Sequence, residues 1–138
     1  MSDRKGYRGY IGSRRYFGDR VPQHVQNLVV RDFCQRNGFQ FLLSHTEYIM
    51  RDNFMMLEEM ALEAPHVEGV VLYSFFMLPP DKEYRMDVCN RILDAGASMH
   101  GAVENKSVNA KGDLQQLEDL WNLKMQLGSG GQVSGDFV

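Results

Sequence analysis

A chain of 138 residues, 43% hydrophobic and 24% charged, has the size and composition of one globular domain that can bury a core without disulfide or metal staples. No apolar run approaches the roughly 18 residues of a membrane-spanning helix, and a net charge of −3 argues against a protein that coats nucleic acid. The charge is uneven: residues 1–20 hold six basic side chains against two acidic ones, a local +4 that leaves −7 on the remainder, which points to a small focused anion site.

The first element in chain order is a strand over Tyr7 to Gly12, followed by a polar loop rich in arginine. Pro22 then stands where helices begin. Val25, Leu28, Val29, Phe33 and Cys34 recur at helical spacing until Asn37-Gly38 supplies a stop, which predicts a first helix. The apolar run Phe39 to Leu43 predicts a second strand, with Ser44 to Tyr48 as the loop beyond its carboxyl end, and a second helix runs from about Asp52 to Glu63. Val67 to Phe75 contains the continuous Gly-Val-Val-Leu-Tyr pattern of a strand buried on both faces, and so predicts the sheet centre.

Pro79-Pro80-Asp81 ends that passage and opens a third helix with Val88, Cys89, Ile92 and Leu93 as its stripe and Gly96 as its stop. Ala97 to Val103 reads as a fourth strand, and Glu104 to Gly112 as a polar loop. Asp113 three residues before Gln116 resembles a capping box, and Leu114, Leu117, Trp121 and Met125 share one face of a fourth helix ended by Gly128. The expected fold is a single three-layer α/β domain over residues 1–128, with a mainly parallel four-stranded sheet, and a flexible tail over residues 129–138.

In such a sheet the ligand-binding end is where the strands finish, because helix N-termini and free backbone N–H groups converge there. Arg14, Arg15 and Arg20 in the first loop are candidates to hold a phosphate through their guanidinium forks, with Gly12 allowing close backbone approach. Ser13 is a candidate nucleophile or phosphate-binding hydroxyl. His45 and Glu47 share the second loop and are candidates for acid–base work as a pair; Glu104 is a third candidate for proton transfer. Tyr10, Gln23, Asn27, Ser74 and Asn105 are candidates for substrate contact at the same edge.

His24 reads as a surface residue of the first helical turn. Tyr7, Tyr10, Tyr16 and Phe17, interleaved with the arginines, suit either stacking on a base or sugar ring or simple cover for a strand. The histidines and acidic residues show no metal-ligand spacing, so no metal and no cofactor is expected. Cys34 and Cys89 sit among apolar neighbours as packing residues. Met50, Met55, Met56 and Met60 suggest core or oligomer packing around the second helix. The charged N-terminus lacks the apolar segment of a secretory signal, which predicts a cytoplasmic protein.

Tyr7 to Arg14 (YRGYIGSR), Tyr16 to Asn27 (YFGDRVPQHVQN) and Thr46-Glu47-Tyr48 with Met50 resemble the pattern of the sporadic carbohydrate cluster proteins of bacterial surface-polysaccharide gene clusters, over most of residues 6–126. More distantly, the GYIGSR start and the GVVLYSFFMLPPDKEYR passage resemble the catalytic domain of serine recombinases, which implies a resolvase-like, flavodoxin-like sheet. Under that resemblance Ser13, or Arg14 in a shifted register, falls at the position of the DNA-attacking serine. Phe75 to Pro80 stands where resolvases carry the arginines that embrace the scissile phosphate, so recombination and nucleic-acid partners are not expected.

The expectation is therefore a cytoplasmic protein of surface-carbohydrate biosynthesis that binds, and acts on, a phosphorylated sugar or nucleotide-sugar. The alternative is a non-catalytic ligand- or partner-binding subunit on the same fold. Sheet edges and the methionine-rich helix predict a homo-oligomer.

Overall fold

The computed structural model describes residues 5–12, 21–48 and 54–130. Its elements in chain order are β1 (Tyr7–Gly12), α1 (Gln23–Arg36), β2 (Phe41–Glu47), α2 (Met55–Glu63), β3 (Gly69–Leu72), α3 (Lys82–Asp94), β4 (Ser98–Gly101), β5 (Lys106–Val108) and α4 (Leu114–Gly130). One sheet runs in the order β2-β1-β3-β4-β5. The first four strands are parallel, and β5 pairs antiparallel with β4.

Helices cover both faces, because the strands at the centre are apolar on both sides. Ile11, Val71 and Ala102 turn toward α1, where Val30, Phe33 and Cys34 complete a compact cluster. Tyr10, Val70, Leu72 and Met99 turn the other way and pack with Leu57 and Met60 of α2, Val88, Cys89 and Ile92 of α3, and Leu117 and Trp121 of α4. β3 lies in the middle of the sheet with all four residues buried, as its unbroken β-branched run predicts. Gly38 (φ +70°) and Gly96 (φ +93°) end α1 and α3 in the left-handed conformation that glycine adopts without strain. Asp81 caps α3, its carboxylate accepting the Tyr84 N–H at 2.9 Å.

The sheet has five strands rather than the four expected. Lys106–Val108, within what reads as a polar loop, forms β5 because Asn105 takes a positive φ of 55° and turns the chain back along β4. The second strand is also displaced. It runs through Ser44, His45 and Thr46, residues that the sequence places in a loop. Polar residues are accommodated in this edge strand because each face offers a partner: Ser44 Oγ donates to Asn27 Oδ1 of α1 at 2.7 Å, and His45 Nε2 lies 3.3 Å from Glu63 Oε1 of α2. A bulge at Leu43 shifts the register between Arg8 and Gly9, and the exposed Leu43 carbonyl accepts a hydrogen bond from Arg8 Nη1.

The third strand is shorter than expected. A 3₁₀ turn over Phe75–Met77 begins where the Ser74 hydroxyl accepts the Phe76 N–H. The buried stripe of α1 is Gln26, Val30, Phe33 and Cys34, one phase away from the expected one, and leaves Leu28 exposed. Asp113 makes no capping box with Gln116; its carboxylate accepts the N–H groups of Asn109 and Ala110 and closes the turn that precedes α4. Met125 is exposed rather than part of the α4 core face, and α4 continues past Gly128 to Gly130. Cys34 and Cys89 are buried free thiols, with burial pushing them up to about 11 and about 12.

Candidate functional site

The chain passes from β1 to β2 on one side and returns to β3 on the other, so the helical connections leave β1 and β3 in opposite directions. In an open parallel sheet the edge beyond the carboxyl ends of the two strands at such a reversal is the ligand-binding end. The residues at the base of that edge are described in detail, whereas Ser13, Arg14, Arg15 and Arg20, together with Tyr16 and Phe17, lie outside the described residues.

Gln26 is the organising side chain. It is fully buried in the second turn of α1, and its amide is wholly occupied by backbone. Oε1 accepts the Gly12 N–H at 2.9 Å, while Nε2 donates to the carbonyls of Gly12 and Val21, each at 2.7 Å. Gly12 and Val21, the residues on either side of segment 13–20, are thus bound to the same carboxamide. Pro22, directly before α1, has no acceptor side chain with which to cap Gln23 and His24. Gln26 is not among the residues that the sequence marks as candidates, unlike its neighbours Gln23 and Asn27. The signal is its spacing: Gln26 stands four residues before Val30 and seven before Phe33, on the face that α1 buries, where a polar group must find partners.

Glu47 ends β2 and is buried. Its carboxylate accepts the N–H groups of Met56 and Leu57, each at 3.1 Å, and the phenol hydroxyl of Tyr10 at 2.8 Å. Negative charge at the start of α2 complements the helix dipole. Tyr10 and Glu47 therefore meet, on the face of the sheet covered by α2. His45 contacts Glu63 rather than Glu47. Glu63 in turn forms a two-point ion pair with Arg8, through Nε at 3.0 Å and Nη2 at 2.7 Å, and hydrogen bonding from that guanidinium holds its carboxyl below the ordinary carboxylate range.

Ser74 and Glu104 also meet. Ser74 Oγ donates to Glu104 Oε2 at 2.7 Å, and the Phe75 N–H donates to Oε1 at 3.0 Å, so this carboxylate crosses from the end of β4 to the turn after β3. The crossing needs the close approach that Gly101 permits: a Cβ there would stand 2.6 Å from Glu104 Oε1 and 2.7 Å from the Phe75 ring. Asn105 is exposed at the tip of the β4–β5 turn. Gln23 is half-buried, and Asn27 is engaged by Ser44.

The edge thus has Gln26 between Gly12 and Val21, Tyr10 with Glu47 at the end of β2, and Ser74 with Glu104 between the ends of β3 and β4. Among the described residues, no group of three His, Cys, Asp or Glu side chains is placed to hold a metal ion. No family model matches the chain, and no curated protein or solved structure does either.

Proposed function

We propose that this chain binds a phosphorylated sugar or nucleotide-sugar at the β1–β3 edge, with Arg14, Arg15 and Arg20 taking the phosphoryl oxygens and Gln23, Asn27, Ser74 and Asn105 at the surrounding edge, while Tyr10, buried and bonded to Glu47, supports the end of β1 from beneath. The observation that carries the reading is the Gln26 clamp, which gathers Gly12 and Val21, the residues that flank the arginine-bearing segment in the chain, at the carboxyl end of β1. Paired guanidinium groups there would gain from the local positive charge and from the N-terminal end of α1. The parallel order β2-β1-β3-β4 suits the resolvase-like or flavodoxin-like sheet that the sequence suggests. The resemblance to carbohydrate-cluster proteins that the sequence suggests over most of residues 6–126 supplies the substrate class of this proposal.

Of the enzymatic and non-catalytic readings, the bonding of the acid–base candidates favours binding without turnover. Glu47 is held by α2 and Tyr10, Glu104 by Ser74 and the Phe75 N–H, and His45 lies against Glu63. The test is calorimetric titration with UDP-sugars and sugar phosphates, followed by product analysis. Arg14→Ala and Arg15→Ala are expected to weaken binding at least tenfold each. Conversion of the ligand, abolished by His45→Ala, would return the protein to the enzymes; unchanged binding in both arginine variants would remove the site.

A further inference from the structure

α4 carries two apolar seams. Leu114, Leu117 and Trp121 are buried against the domain. A second seam, Leu120, Leu123 and Leu127 preceded by Gln116, repeats at spacings of four, three and four residues, the spacing of a coiled-coil interface. Leu120 is half-buried, while Leu123 and Leu127 are 53% and 62% exposed. From Asn122 to Leu127 every residue but Lys124 is exposed, so the carboxyl-terminal half of the helix keeps an apolar free side. Alongside runs a groove of about 270 Å³ whose walls include Val108, Leu117, Leu120 and Leu123.

We propose that this chain forms a two-fold symmetric dimer in which the Leu120–Leu123–Leu127 seams of two α4 helices pack in parallel and in register. Two features of the seam select a second copy of the chain as its occupant. A three-and-four repeat is self-complementary, as the isologous contact of a two-fold dimer requires. The flanking charges also match themselves: Asp119 precedes the seam on one side and Lys124 follows on the other, five residues apart, the offset at which side chains pair across a parallel coiled coil. Two such pairs arise by symmetry. Lys124 stands at the boundary between domain and seam, its ammonium 5.5 Å from the Phe76 ring. An antiparallel arrangement sets Asp119 against Gln126 and gains no ion pair. Met125 lies outside the seam and takes no part.

The experiment is light scattering after gel filtration, together with a single-cysteine cross-link. The wild type is expected at twice the 15.9 kDa chain mass. Leu123→Glu is expected at the monomer mass, with its helical circular dichroism retained. Cys34 and Cys89 are buried, so Leu123→Cys reports cleanly on the parallel contact: mild oxidation is expected to link most chains in pairs. Asp119→Lys is expected to weaken the dimer several-fold, and Asp119→Lys with Lys124→Asp to restore it. A monomeric wild type at 100 μM overturns the proposal. So does a dimer in which Leu123→Cys does not cross-link, or one that Leu123→Glu leaves intact.

Discussion

At the residue scale the molecule is governed by buried polar side chains that spend their bonding capacity on backbone. Gln26 is the clearest case, since one carboxamide satisfies an N–H and two carbonyls at the ends of β1 and the first loop. Gln26→Leu keeps the volume but leaves these three groups unpaired, and should cost about 2–4 kcal/mol, measured as a lower urea midpoint. Gln26→Glu should be no milder, because a carboxylate oxygen would face the Gly12 and Val21 carbonyls in place of an amide donor. Glu47 and Glu104 follow the same logic with N–H donors. Polarity marked them as site candidates, and hydrogen bonding gives each a structural task.

At the element scale the helices on the α2–α3–α4 side are joined by charge as well as by apolar contact. Glu58 of α2 receives both terminal nitrogens of Arg91 and the hydroxyl of Tyr84, all from α3. The Arg91 hydrogen bonds lower the Glu58 carboxyl below its ordinary range, and burial first, with the Glu58 bond second, pushes Tyr84 up to about 12. Deeper in, Arg85 of α3 and Glu118 of α4 form a buried two-point pair at 2.8 and 2.7 Å. Arg85 also donates to the Pro79 and Pro80 carbonyls and lies 4.2 Å from the Trp121 ring. Arg85→Met strands the Glu118 charge and should destabilise by about 3–5 kcal/mol. The double variant Arg85→Met with Glu118→Leu should recover most of that loss in the same denaturation measurement, since a buried pair contributes less than a broken one costs.

For the whole molecule, acid stability turns on His100, buried in β4 between the Ser98 and Ser107 hydroxyls and against the rings of Tyr7, Phe33 and Phe39. Burial disfavours its charged form and lowers its pKa from 6.5 to about 4. The unfolded chain therefore takes up this proton first as pH falls. The stability that His100 controls is full above pH 6.5, declines between about 6.5 and 4 and is lost below, a total of about 3 kcal/mol, while Glu58 and Glu63, whose carboxyls are held below their ordinary range, withdraw their own contributions as pH falls further. His100→Gln should flatten that window in denaturant midpoints taken across it. The alternation of helix and strand, the central position of Val70–Val71–Leu72 and the glycine stops of α1 and α3 were legible in the sequence, because they rest on periodicity and local backbone preference. The extent of the edge strand β2 and the existence of β5 were not. β2 continues through Ser44 and His45 only because α1 and α2 supply partners, and β5 exists only because β4 is there to pair with it. The sequence alone determined which segments could bury apolar surface and where positive charge is concentrated. Tertiary structure alone decided which polar groups are occupied, because a hydrogen bond between residues 30 or more positions apart depends on distances that no local pattern contains.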